Sequence, residues 1–191
     1  MRNVLSGVLL LVALAAIASG PGLASSEQRT AGRSDQPPAY PLPAARCPLI
    51  PVQGVHSSQR KSTFNEGRAG HLHHAIDILA PRGTPVLAAV DGTVRKLFVS
   101  RAGGITLYEY DLAGERSYYY AHLDGYAPGI REGLSLRRGD VLGYVGTTGN
   151  APETTPHLHF AIEVVPPTKE WWKGEAIDPY PILTTPASAL R

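Results

Sequence analysis

A single cysteine, Cys47, stands among the 191 residues, so no disulfide can form within the chain. It lies far beyond the apolar N-terminal run, which excludes lipid attachment of the bacterial lipoprotein type; a buried, inert thiol is expected. Charge is scarce as well. Only 18% of residues are charged and the formal net charge is +2, which gives no basic surface of the kind nucleic acid demands. Long apolar runs are missing: the longest, residues 8–18, has eleven residues, against the roughly 20 that a membrane-spanning helix needs. A helical period is missing too, and so is any sign of a second domain. What remains, with 43% hydrophobic residues, is the composition of one folded globular unit.

The apolar run has an address rather than a structural meaning. Arg2 precedes it, Gly20-Pro21-Gly22 breaks it, and Gly22-Leu23-Ala24 offers small residues for cleavage. Residues 1–24 are therefore expected to be a secretory signal peptide, directing the chain to the periplasm or the exterior without a remaining membrane span. Residues 25–45 hold Pro37, Pro38, Pro41 and Pro43 among Ser, Arg and Ala, and are expected to be a flexible Pro-rich linker. The folded domain, 46–191, then reads as strands separated by turns. Residues 86–90 and 93–99 are expected to pair as a hairpin across Asp91-Gly92. Residues 105–110 and 116–122 form a second pair, and 141–145 another strand. Gly83-Thr84-Pro85-Val86 and Gly139-Asp140-Val141-Leu142 echo each other, as hairpins on two sides of a sandwich would. The clearest strand is 157–164. Leu158, Phe160, Ile162 and Val164 share one face, and His157, His159, Ala161 and Glu163 share the other.

Three of the seven histidines crowd into Gly70-His71-Leu72-His73-His74-Ala75-Ile76-Asp77, and Pro156-His157-Leu158-His159-Phe160 carries two more. These segments are expected to meet around one divalent metal, with His122 beside them. His157 and His159 point the same way about 7 Å apart, so one metal ligand and one outer base is the natural division. In an extended chain His73 and Asp77 would be about 13 Å apart, so a turn or bulge must separate them. Two histidines and one carboxylate leave a coordination position open, as in catalytic zinc sites, although the same set suits iron(II). Tyr118, Tyr120 and His122 would share a strand face, which makes Tyr120 a candidate for substrate contact. His56, His71 and His74 are expected at the surface or behind the ligands. Trp171-Trp172 could stack on a sugar, wall the groove or pack at an edge.

His73-x-x-x-Asp77, Tyr120-Ala121-His122-Leu123 and His157-Leu158-His159-Phe160, in that order, resemble the M23 (lysostaphin/LytM-type) zinc metallopeptidases. Ala80-Pro81-Arg82-Gly83-Thr84-Pro85-Val86 and Gly143-Tyr144-Val145-Gly146-Thr147-Thr148-Gly149 extend the likeness, which runs from about residue 51 to 183. The resemblance implies an all-β fold, a compact antiparallel β-sandwich with a metal site in a surface groove. It implies one Zn2+ per chain on His73, Asp77 and His159, with His122 and His157 as the catalytic pair. The implied activity is hydrolysis of peptide bonds in bacterial peptidoglycan, cross-links or stem peptides, by a zinc-activated water. Two positions depart from the pattern: Ala75 stands where many members have glycine, and Ala161 where glutamate is common.

The alternative is a non-catalytic LytM-like domain that binds and activates another cell-wall hydrolase, for which a regulatory protein partner would be needed. Such domains usually lack a ligand, whereas all five residues are present here. A lipoyl- or biotinyl-carrier module is a weaker rival, because it needs a lysine at a hairpin tip and Asp91-Gly92 and Arg138-Gly139 offer none.

Overall fold

The computed structural model describes residues 47–56, 62–68 and 70–184; the expected signal peptide (1–24) and linker (25–45) lie outside the described residues. Strand alternation sets the centre of the fold. In β10 (His157–Val164), Leu158, Phe160 and Ile162 are fully buried, and each such side chain contributes about 1.5–3 kcal/mol of transfer free energy. The opposite face carries His157, His159, Ala161 and Glu163, as the alternation predicts. Val164 does not join the core but is 46% exposed at the strand end, where it stands opposite Arg116 and Glu175.

Around β10 lie β3 (Ile76–Leu79) and β11 (Glu175–Ile177) along one edge and β7 (Arg116–Tyr126) along the other. The sheet continues through β6 (Gly104–Asp111), β5 (Gly92–Ser100) and β8 (Ser135–Leu136), all antiparallel. The expected β6–β7 hairpin is present. Asp111 closes its turn by accepting from the backbone N–H groups of Glu115 and Arg116 at 2.9 and 3.3 Å.

The long strand β7 serves two partners in succession. Its first half pairs with β10 and β6; past a register shift, Leu123, Gly125 and Tyr126 pair with β9 (Val141–Val145). β9 in turn holds β4 (Pro85–Leu87). Val86, Leu142 and Val145 from this β4–β9 ladder join Leu107, Tyr118, Tyr120 and Phe160 in one core, which makes the β-sandwich. The small hairpin β1 (Gly67–Arg68) and β2 (His71–Leu72) stands apart as a two-stranded sheet.

Several expectations need correction. Residues 86–90 and 93–99 are not hairpin partners: β4 ends at Leu87 and pairs with β9, while β5 pairs with β6 and β8. The reason is buried polar chemistry. The N–H of Ala89 donates to Tyr120 Oη at 2.9 Å and to Glu109 Oε2 at 3.3 Å, and that of Ala88 donates to the Asp140 carbonyl at 2.8 Å. Donors that would have continued a ladder are thereby used elsewhere. The two echoing glycine-led segments are themselves partners, with Pro85 opposite Tyr144 and Val86 opposite Gly143. One short helix, α1 (Pro179–Thr184), follows β11. Cys47 is half-buried rather than buried. Among the described residues no helix is long and apolar enough to cross a membrane.

Candidate metal centre

Asp77 and His159 face each other directly across the β3–β10 ladder. His73 reaches them through a tight reversal. His74 takes φ 56°, a left-handed conformation that non-glycine residues visit rarely, and the reversal brings His73 Nε2 to 3.1 Å from Asp77 Oδ1. The required turn therefore exists, with its strain at His74 and not at Ala75. The His74 side chain points outward, exposed and 5.6 Å from the Phe64 ring.

His159 Nδ1 completes a triangle, 3.0 Å from His73 Nε2 and 3.3 Å from Asp77 Oδ1. A tetrahedral ion with bonds of about 2.0–2.2 Å has ligand–ligand edges of about 3.3–3.6 Å, so the triangle would need only a slight expansion. Proton placement also favours a cation. His73 Nδ1 lies 3.1 Å from the Thr63 carbonyl oxygen; a carbonyl only accepts, so Nδ1 carries the proton and Nε2 turns a bare lone pair inward. Asp77 Oδ1 is buried without a hydrogen-bond partner, although the nitrogens of His73 and His159 lie 3.1 and 3.3 Å from it. The inward lone pair of His73 and the unpartnered Asp77 oxygen put negative character at one point, which suits a positive ion between them. His73, Asp77 and His159 could hold a metal ion.

Arg68 Nη2 donates to the other carboxylate oxygen, Asp77 Oδ2, at 2.7 Å. Burial works to raise the Asp77 carboxyl, but the pull of His159 and His73 outweighs it and holds the group well below the usual range. His159 is shifted down, chiefly by its own burial, with Asp77 opposing.

His157 opens β10, its Nδ1 donating to the Thr155 carbonyl at 2.8 Å and its Nε2 lying 3.8 Å from Asp77 Oδ1. His122 Nδ1 donates to the Thr148 carbonyl at 2.8 Å. The two rings are 5.0 Å apart, and His122 is 5.6 Å from His159. Burial lowers the His122 imidazole to about 4 against the opposing Thr148 bond, so it is neutral at neutral pH with Nε2 free to accept.

The face expected for Tyr120 is wrong. Tyr118 and Tyr120 are buried in the core, and Tyr120 donates its hydroxyl to Glu109 Oε2. Tyr119 and Ala121 line the groove instead. His122 joins them because its φ of 59°, at the β6–β7 register shift, breaks the alternation. Holding that irregularity is a glycine contact: a Cβ at Gly149 would strike the Ala102 carbonyl and Gly104 N–H, and one at Gly104 would strike Thr148. Both glycines have positive φ, and their close approach positions Thr148, whose hydroxyl donates to the Leu123 carbonyl at 2.7 Å.

A groove of about 470 Å³ runs over these side chains, walled by Arg68, His71, Tyr119, Asn150 and Pro152 among others. Arg68 and Tyr119 escaped sequence reasoning. Nothing in the spacing of Arg68 to Asp77 marks it, and Tyr119 could be found only by knowing where β7 loses its alternation. Glu163 lies on the groove face, and burial raises its carboxyl.

Comparison with known proteins adds an independent line. The chain is similar to an L-Ala–D-Glu endopeptidase of Bacillus subtilis, 34% identical over 142 residues, covering 70% of this chain and 41% of that protein. It is also similar to the DD-carboxypeptidase/endopeptidase Mpg of Neisseria meningitidis, 36% identical over 117 residues, covering 60% of this chain and 24% of that one. The chain thus spans less than half the length of these curated relatives. Among solved structures, the catalytic domain of lysostaphin from Staphylococcus simulans superposes with a TM-score of 0.56 at 27% identity, covering 68% of this chain and 96% of the other. The model of peptidase family M23 matches residues 71–179, more than half of the chain, and the chain belongs to that family.

Proposed function

We propose that this protein is a secreted zinc metalloendopeptidase that hydrolyses peptide bonds in bacterial peptidoglycan, in cross-links or stem peptides. The observation that carries the reading is the convergence of His73 Nε2, Asp77 Oδ1 and His159 Nδ1, all within 3.3 Å of one another, under a groove lined by His122 and His157. His73, Asp77 and His159 would hold one Zn2+, which supplies the acidity that brings a water's pKa toward about 7 and polarises a carbonyl. The activities of the relatives, an L-Ala–D-Glu endopeptidase and a DD-carboxypeptidase/endopeptidase, support a wall-peptide substrate.

His157 is the general base in this reading. Its Nδ1–H is committed to Thr155, so Nε2 is the atom that takes a proton, within reach of the groove floor beside Asp77. His122 is fixed the same way through Thr148, and its depressed pKa makes it an acceptor at neutral pH. It can orient the attacking water, and it can donate to a developing oxyanion only after gaining a proton. Arg68 steadies the Asp77 carboxylate from outside the triangle. Secretion rests on the pattern of residues 1–24, followed by a linker over 25–45. A purely regulatory role is not favoured, since all five side chains converge.

Mass spectrometry of peptidoglycan fragments released from purified sacculi tests the proposal directly. Chelator-sensitive release of peptides with newly cleaved stem or cross-link bonds is expected. Zinc-loaded protein that releases no fragment would sink it.

A further inference from the structure

Resting on the peptidoglycan reading, we propose that Trp172 and Phe98 form a stacking platform for the glycan strand, an N-acetylated hexosamine polymer, beside the peptide groove. An unbroken series of ring contacts leads there from the candidate metal centre. Tyr119 lies 6.0 Å from the His159 ring, Tyr108 lies 4.6 Å from Tyr119, and Trp171 lies 4.9 Å from Tyr108. Trp171 also packs on Phe98 at 5.4 Å and meets Trp172 edge-on at 5.3 Å. Trp171 is thereby held within the cluster, and the outer rings are left open: Trp172 is 58% exposed and Phe98 42%.

The segment that presents the tryptophans is braced. The N–H of Val165 donates to the Glu115 carbonyl at 2.9 Å, and that of Lys169 to the Pro166 carbonyl at 2.8 Å. Lys169 Nζ donates to the Gly114 carbonyl at 2.6 Å. Glu170 accepts from Thr168 at 2.8 Å and pairs with Lys173 at 2.9 Å. Gly174 lies flush on Glu163, where a Cβ would come within 2.5 Å of that side chain. A firmly held segment ending in an exposed indole is a preorganised surface.

Its chemistry matches a sugar ring. A pyranose offers an apolar C–H face bordered by hydroxyl and acetamido groups. The platform offers flat aromatic faces bordered by Lys173 and Glu170. Two open rings are far short of the roughly 800 Å² per partner that a stable protein interface needs. The connection is also covalent: a stem peptide lying in the groove is attached to a glycan strand, and the ring series places the exposed platform beside that groove.

The test uses the full chain and a tetramer of N-acetylglucosamine, followed by tryptophan fluorescence and saturation-transfer NMR in the presence of chelator. Binding is expected for the wild type, weakened about tenfold by Trp172→Ala and partly restored by Trp172→Tyr. In parallel, the ratio of sacculus cleavage to cleavage of a sugar-free stem peptide should fall about tenfold in Trp172→Ala. Wild-type protein that ignores the tetramer, or a Trp172→Ala variant that binds it equally well, would overturn the platform. Because the saccharide arm needs neither metal nor turnover, its failure is separable from failure of the peptidase reading: a chain that binds the tetramer and cleaves nothing loses only the latter.

Discussion

Glu109 offers the sharpest quantitative test of the structure, because its carboxyl sits wholly inside the sandwich at 0% exposure. Burial pushes it up to about 8 from an ordinary 4.5, although hydrogen bonds from Tyr120 and Ala89 pull the other way. Its second oxygen, Oε1, has no partner, as a carboxyl that stays protonated can tolerate better than a carboxylate. The sign follows from proton counting. Below pH 4.5 the group is protonated whether the chain is folded or not, and its contribution is fully present. Between 4.5 and 8 only the unfolded chain releases the proton, so stability falls by about 1.36 kcal/mol per pH unit. Above 8 the loss levels off at roughly 5 kcal/mol, a large part of the 5–15 kcal/mol typical of a domain. Glu109→Gln keeps the shape and an acceptor for Tyr120 but removes the titration. Urea unfolding of both proteins at one-unit steps from pH 4 to 9, with chelator throughout, isolates the effect as the difference between the two curves. That difference should move steadily in favour of the Gln variant and flatten near pH 8. A difference independent of pH would refute the buried-acid reading.

Replacing His73 by Ala should abolish both metal uptake and hydrolysis, whereas His122→Ala should retain one equivalent of zinc and lose turnover; elemental analysis beside a fragment-release assay separates them. Arg68→Ala should weaken metal retention about 10–100-fold, read by chelator competition, because Asp77 Oδ2 loses its 2.7 Å donor. Undiminished retention would mean that Arg68 does not steady the carboxylate. Phe160→Ala should cost about 3–5 kcal/mol in denaturant unfolding, since the ring is fully buried between Tyr118 and Tyr120.

The parts of the fold legible in the sequence are those governed by local pattern. Alternation from His157 to Ile162 places hydrophobic and chemical faces correctly, and the i, i+4 relation of His73 to Asp77 together with their mismatch in an extended chain requires the turn that His74 makes. The parts that escaped depend on single backbone departures or on distant pairing. The left-handed φ at His122 breaks the alternation after Ala121, so alternation counted back from His122 points to Tyr120 in the groove where Tyr119 stands. The strand at 85–87 pairs with β9 and not with its neighbour in sequence, because the Asp140 carbonyl and the Tyr120–Glu109 pair take up the next two backbone donors, those of Ala88 and Ala89. Arg68 reaches Asp77 across a hairpin whose closure no residue pattern announces.

His73, His122 and His157 take their orientation from the main-chain oxygens of Thr63, Thr148 and Thr155. A peptide oxygen exists whatever side chain its residue bears, so a survey that trims side chains to alanine would leave all three acceptors standing. What could disturb them is a change in the path of the loop: an inserted or deleted residue, or bulk at Gly104 or Gly149 that forces the backbones apart. The proton addresses of these three imidazoles are thus written in loop length and backbone course, tolerant of drift in composition and intolerant of drift in spacing.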